Sequence, residues 1–300
     1  MRLLLPLALL LTACPTAPPD DEPTPAPAAL HDTEAVVTRF AAQSAERWEP
    51  DDLGLDWIQT VLAWGHLRAD AAFPDGGHDA FGTTWIGGHL ADFAGEDPKT
   101  FNSSDSMSPA SVAASLMADD ASRPYQPVLD AAFTYLADLP RTSDGAVPHW
   151  GPEHPLFGDT LQVWVDSQFM VGMTLLQEFR RTGDADLLDT WVTQYDLFSQ
   201  LCRDPADQLY RHAWDDLAEE NIPTEAIYWN RGNSWVLISA AEFLRLAPDH
   251  SDAARIEGLS FGTNPGDYDN YVDTGVFPDQ IVGVGAVLML LSEAHGMEVE

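Results

Sequence analysis

From residue 31 onward, apolar side chains recur every three to four positions in one segment after another. That period belongs to α-helices with a buried face, and strand-like alternation is scarce. "HDTEAVVTRFAAQSAERW" opens the series with acids in its first turn. "LGLDWIQTVLAWGHL" puts Trp57, Val61 and Trp64 on one face, with Ile58 and Leu62 beside them. In "SPASVAASLM", Ser108 is expected as N-cap, with Pro109 at the first helical position. "RPYQPVLDAAFTYLADL" follows, then "DSQFMVGMTLLQEFRR", whose Phe169, Met173, Leu176 and Phe179 form one stripe. Gly183 stops that helix and Asp184 is placed to cap the next, "ADLLDTWVTQYDLFSQL". "SWVLISAAEFLRL" and "QIVGVGAVLMLLSEAHG" close the series. Several segments are apolar around more than one face, which suits helices packed on two sides, as in a double-layered helical barrel.

The connections are rich in Gly, Pro, Asp, His and Trp, as in "RTSDGAVPHWGPEHPLFGDTLQVW". Long polar and aromatic loops on a helical scaffold are a usual address for function. The sequence holds no metal-ligand spacing, no phosphate loop and no Gly-x-Ser-x-Gly elbow, so no metal or cofactor is expected. The lone histidines of "GHDAFG" and "PEHP" read as surface or capping residues.

Charge narrows the partners. The chain carries 14 Lys+Arg against 48 Asp+Glu, a formal −34, and Lys99 is its single lysine. Such a field repels phosphate backbones, which argues against nucleic-acid partners. An anionic ligand needs a local exception to it. Ten tryptophans exceed the ordinary needs of a core and offer flat walls for sugars.

The N-terminus reads as a targeting device. "MRLLLPLALLLTAC" has one cation, Arg2, an apolar stretch too short to span a membrane, and a small-residue exit. Its end resembles the lipobox of bacterial lipoproteins. The resemblance implies a signal peptide over 1–13 and a lipid on Cys14. A proline-rich tether would follow over 14–30, and a single helical-barrel domain over 31–300. The expected location is extracytoplasmic, lipid-anchored to the cell envelope and to the outer membrane in a Gram-negative host, with that lipid as the only membrane contact. With Cys14 so used, Cys202 has no disulfide partner and reads as a small buried hydrophobe.

Two loops carry specific motifs. "VWVDSQFM" (163–170) resembles the W-x-D-[ST]-x-x-M signature of unsaturated glucuronyl and rhamnogalacturonyl hydrolases, glycoside hydrolase families 88 and 105. "YWNRGNSW" (228–235) resembles a second signature of that group, W-x-R-G-N-x-W. "NSSD", "TSDGAVPHW", "LYRHAWDD" and the segment beginning "FGTNPGDY" are weaker matches in the family's order. Met173 departs from the family's usual proline, and Trp150 from the lysine of some members.

The resemblance implies an all-α fold, an (α/α)6 barrel with its site at one mouth. Between "LRLAPDH" and "FGTNPGDY" the family carries more helices than this chain, where roughly nine are legible against the twelve of a closed double ring. Either the barrel is incomplete, or shorter helices escape the pattern. The implied substrates are 4,5-unsaturated uronide oligosaccharides left by polysaccharide lyases. The implied catalytic residues are Asp166, as the acid and base of a double-bond hydration, and Asp105, orienting water or a hydroxyl. The implied substrate contacts are His149, Trp164, His212, Trp229, Arg231, Asn233 and Trp235. The plainer alternatives stand beside these: Asp166 as a helix cap, Asp105 as a loop residue, Arg231 as a structural arginine. A lipoprotein that binds acidic sugars without turning them over is the alternative reading of the whole.

Overall fold

The computed structural model describes residues 33–151 and 160–260, with the side chains of 257–260 left aside. The signal peptide, Cys14, the tether, the "PEHP" histidine and the expected helix over 280–296 lie outside the described residues. The described helices are α1 (Thr33–Arg47), α2 (Trp57–Ala72), α3 (Ala80–Gly88), α4 (Ser104–Met107), α5 (Pro109–Asp119), α6 (Gln126–Asp138), α7 (Ser167–Thr182), α8 (Ala185–Cys202), α9 (Asn230–Leu246) and α10 (Ala253–Ser260). Three three-residue strands, β1 (Gln162–Trp164), β2 (Ala213–Asp215) and β3 (Glu220–Ile222), form one antiparallel sheet in that order.

Inner and outer helices alternate along the chain. α5 and α7 are buried around almost their whole circumference and pack on each other. α2 packs on α5, and α9 on α7, continuing the inner layer on either side. α6, α8 and α10 bury one stripe each and cover it from outside. Aromatic residues fill the space between layers: Trp191 stacks on Phe243 at 4.4 Å and on Tyr195 at 5.0 Å. Close approach is possible because position 172 of α7 is glycine. A Cβ there would come within 2.6 Å of Ser239 Oγ and 2.9 Å of Trp191 Nε1.

The inner helices run parallel, and side-chain contacts at both ends show it. At their C-terminal ends Glu242 of α9 accepts from Arg68 of α2, Gln177 of α7 and its own neighbour Arg245. Burial raises the Glu242 pKa, but the arginine bonds and charges outweigh it, and the group sits below the ordinary carboxylate range. At the opposite end the starts of α2, α4, α7 and α9 converge. Each helix start brings its partial positive charge to that end of the barrel.

Three details differ from the sequence expectations. Ser108 does not cap α5: its backbone is already helical, and its hydroxyl donates to Asp105 O at 2.7 Å. Ser103 caps one element earlier, in a reciprocal capping box with Ser106. α3 carries no clear signal, because "AFGTTWIGG" holds three glycines and two threonines that lower its propensity. His78 of "GHDAFG" is buried rather than at the surface. Gly183, with φ +72°, ends α7 as expected, Asp184 caps α8 with a bond from Asp186 N, and Cys202 is buried.

Candidate active site

A ladder of backbone bonds assembles the mouth. Ser104 N donates to His149 O at 2.7 Å, His149 N to Gln162 O at 2.7 Å, and Val165 N to His212 O at 3.1 Å. Ser103 and Trp150 form a β-bridge, and β1 pairs Trp164 with Ala213 of β2. Four segments far apart in sequence thereby lie side by side, and each presents one polar or aromatic side chain from the family-like motifs.

Two carboxylate–imidazole pairs result. His212 Nε2 stands 3.5 Å from Asp166 Oδ2, and His149 Nε2 stands 3.4 Å from Asp105 Oδ2. Asp166 occupies the N-cap position of α7, yet its side chain makes no capping bond. The carboxyl is turned to the mouth instead, with only 11% of the side chain exposed. His149 is fixed from behind by Ser104 Oγ at 2.6 Å and Ser167 Oγ at 3.1 Å on its Nδ1 side.

Rings wall the space in an unbroken series. Trp164 stacks on His149 at 4.9 Å and meets His212 edge-on at 4.5 Å. His212 touches Trp229 at 4.3 Å. The Arg231 guanidinium lies 4.2 Å over Trp229 and 5.3 Å over Trp57, so it rests on two indoles. Burial between the rings lowers the Arg231 pKa, while the charges of Asp166 and Asp105 work against that. Arginine remains charged throughout the physiological range, and both carboxylates are close enough for it to feel them. Gly232 is required here, since a Cβ would press to 2.7 Å on the Trp229 ring and 2.8 Å on Val165.

Asp105, His149, Trp164, Asp166, His212, Trp229 and Arg231 therefore share one mouth. Two expected contacts sit elsewhere. Trp235 is 3% exposed and packs on Phe169 at 4.8 Å and edge-on to Trp57 at 6.3 Å, because it falls one helical turn below the α9 start, on the core side. Asn233 commits its amide to scaffolding: Oδ1 accepts from Tyr210 N at 2.8 Å, and Nδ2 donates to Tyr210 O and Trp229 O. That clamp holds the segment bearing His212 against the segment bearing Arg231.

Two residues at the mouth had no motif to mark them. Asp56 caps α2, its Oδ1 accepting from Trp57 N at 2.7 Å. Its pKa is raised, first by burial and further by the Asp105 charge, against the pull of the Trp57 bond, His149 and Lys99. Trp57 faces Arg231, although helical spacing assigned it to the core stripe. An acid before an apolar run is a cap signal, and nothing in the sequence marks that this cap also faces a site. Among the described residues, no three His, Cys, Asp or Glu come together as a metal site.

The architecture and this mouth define a helical-barrel protein with an aromatic site that holds two carboxylate–imidazole pairs. Residues 32–257 match the model of Glycosyl Hydrolase Family 88, and the chain belongs to that family. An unsaturated rhamnogalacturonyl hydrolase, YesR of Bacillus subtilis (strain 168), is 25% identical over 214 residues, 71% of this chain and 60% of the relative. The match thus spans less than two thirds of that relative's length. A family 105 glycoside hydrolase from C. acetobutylicum superposes with TM-score 0.63 at 15% identity, covering 74% of this chain and 63% of that one. An unsaturated glucuronyl hydrolase from Bacillus sp. GL1, responsible for glycosaminoglycan degradation, superposes with TM-score 0.54 at 12% identity, covering 88% and 83%. At such identities the likeness establishes the fold, and that fold is the (α/α)6 barrel.

Proposed function

We propose that this chain is an unsaturated uronyl hydrolase: it hydrates the C4–C5 double bond of a uronic acid at the non-reducing end of lyase-generated oligosaccharides. The observation that carries this reading is a carboxyl group, Asp166, withdrawn from solvent and free of capping duty, in the same aromatic mouth as Arg231, a cation resting on two indoles.

The double bond adjoins the ring oxygen, so it is an enol ether. Asp166 in its acid form gives its proton to C4. The oxygen of a water then bonds to C5, and the water's proton passes to the Asp166 carboxylate, which is regenerated as the acid. The product is a hemiketal. Its C5–ring oxygen bond opens to a ketone, C1 becomes a hemiacetal, and that collapses to an aldehyde as the neighbouring sugar leaves. The net reaction consumes one water. One carboxyl serves both proton steps, so the two-carboxylate separation of ordinary glycosidases does not govern the site. His212 steadies the Asp166 charge between the steps. Asp105, held by His149, orients the water. Arg231 takes the substrate carboxylate with its planar fork of donors, and Trp229 and Trp57 cover the sugar faces.

The direct test follows the absorbance of the conjugated double bond during incubation with lyase-generated oligosaccharides. Wild type should bleach it, and Asp166→Asn should slow the loss by about 10²–10⁴-fold, the factor that a general acid typically supplies. Equal inertness of the two on pectin-, rhamnogalacturonan- and glycosaminoglycan-derived fragments would overturn the reading. We place the enzyme outside the cytoplasm on a lipid carried by Cys14. Cys14→Ser should then move the protein from the detergent phase to the aqueous phase, and an unchanged partition rejects the anchor.

A further inference from the structure

A cavity of about 310 Å³ lies at the far end of the barrel from the mouth, where the inner helices finish. That volume falls within the roughly 300–1,000 Å³ of small-molecule sites. Arg68 of α2, Arg180 of α7 and Arg245 of α9 all line it. They are three of the 14 basic side chains in a chain of formal charge −34, so their meeting at one place needs a reason. Arg180 follows Asp166 by 14 residues, and Arg245 follows Arg231 by 14. At about 1.5 Å per helical residue, the cavity is roughly 20 Å from the mouth, and it shares no lining residue with it. Trp64, Leu67 and Pro74 supply an apolar wall beside the arginines.

Part of the reason is internal. The buried Glu242 accepts from Arg68 at 2.5 Å and from Arg245 at 2.8 and 2.6 Å. Two features go beyond that ion pairing. Arg180 bonds to side chains, Ser115 Oγ at 3.3 Å and Asp119, rather than to the helix-end carbonyls that a dipole-balancing cation would serve. A guanidinium has five N–H donors, those two bonds occupy two of them, and the Arg180 side chain is 32% exposed. One turn earlier on α7, Gln177 is fully buried and lines the same cavity. Its Nε2 donates to Glu242 Oε1 at 2.5 Å, which fixes the orientation of the amide, and its Oε1 has no donor among the described residues. A buried carbonyl oxygen without a donor is costly, and a ligand in the cavity can supply one.

We propose that this basal cavity is a second ligand site, and that it takes a small carboxylate bearing hydroxyl groups, the chemistry of a sugar acid. The carboxylate accepts from the planar donors of Arg180, a hydroxyl donates to Gln177 Oε1, and the C–H groups face the apolar wall. Charge limits the ligand to a monoanion. The three guanidiniums stand against Asp70 and Asp119 in the lining and Glu242 beneath it, which makes the place a balanced spot in a strongly acidic molecule. A dianion such as phosphate also meets those carboxylates, and a neutral sugar leaves the Arg180 donors to water. A plain alkyl carboxylate leaves Gln177 as it is. The site stands whether or not the mouth turns over unsaturated uronides.

The test is calorimetry on the full chain with glucuronate, gluconate, glucose, butyrate and phosphate as probes. A uronate can also enter the mouth through Arg231, so each probe is titrated into wild type and into Arg231→Ala. Glucuronate and gluconate should bind both proteins, and should bind Arg231→Ala about tenfold or more tightly than glucose, butyrate or phosphate does, the worth of one charge-assisted contact. In the Arg231→Ala background, Arg180→Gln should weaken that binding by about tenfold or more. Ala71→Trp, which fills the cavity from an exposed position of α2, should do the same, and melting curves show that each variant is folded. If Arg180→Gln does not fold, Ala71→Trp decides alone. Binding that vanishes in Arg231→Ala belongs to the mouth and overturns the basal site. Binding that Ala71→Trp leaves unchanged overturns it as well, as does phosphate, glucose or butyrate binding as tightly as the sugar acids, or wild type that binds neither sugar acid.

Discussion

At the residue scale, the site is a matter of which polar groups are left unspent. Asp166 sits where an N-cap belongs, and its side chain caps nothing; Asn233, beside the arginine, spends all its bonding on backbone. Arg231 is the converse case, a cation resting on two indoles. Its planar donors suit a carboxylate, whereas an ammonium at the same place presents a compact charge with different reach. Arg231→Lys is therefore expected to raise KM for unsaturated uronides by about tenfold or more, as the loss of one charge-assisted bond of roughly 1.5–3 kcal/mol implies, with a smaller effect on kcat. Steady-state kinetics separate the two, and a fall in kcat alone would move Arg231 from binding the ground state to some other duty. Asp166 and Arg231 were legible because each lies inside a dense motif whose neighbours restrict its meaning. Asp56 and Trp57 were not, because a cap before an apolar run and a tryptophan at helical spacing look the same whether they face a core or a ligand. Trp235 shows the reverse error: the motif drew it into the mouth, and the helix turned it inward.

At the scale of elements, the barrel depends on how closely α7, α8 and α9 approach. Period and caps made α7 and α8 readable to within a residue or two, since Gly183 and Asp184 mark the break between them. α3 was unreadable because its glycines and threonines carry little helical preference, and packing against α5 supplies what propensity lacks. The closeness itself was also hidden. "FMVGM" gives no sign that its glycine faces Trp191 and Ser239, whose Nε1–Oγ bond of 3.0 Å closes the gap. Gly172→Ala adds helix propensity and would stabilise an open site. Here the added methyl overlaps both groups, breaks that bond and leaves a buried indole N–H without its partner. A net destabilisation of about 2–4 kcal/mol is expected, read as a drop in melting temperature or in the urea midpoint. A gain in stability would mean that the three helices separate easily.

At the scale of the whole molecule, a formal charge of −34 sets how stability responds to acid. Protonating surface carboxylates relieves repulsion, and Asp56 and Asp70, raised chiefly by burial, also favour the folded state as pH falls. Carboxylates held low, such as Glu242 and Asp215, oppose this, and so does one histidine. His66 is 2% exposed, bonded to Ser44 Oγ at 2.9 Å and stacked on Phe81 at 4.2 Å. Burial, with the His78 charge, pushes its pKa down to about 3. An unfolded histidine titrates near 6.5, so between that value and about 3 the unfolded chain holds a proton that the folded chain refuses. The contribution of His66 is thus complete above about pH 6.5 and is lost as pH falls, reaching about 2–3 kcal/mol near pH 4.5. The net profile of wild type mixes these opposing trends, but the difference between wild type and His66→Gln isolates one of them. Glutamine retains a bonding partner for Ser44 and does not titrate. Urea melts near pH 7.5 and pH 4.5 should therefore show the variant losing less stability, or gaining more, than wild type by that 2–3 kcal/mol. Parallel changes in the two proteins would show that His66 takes up its proton inside the folded barrel, and that the packing of α1 and α2 around it opens to water far below the unfolding threshold.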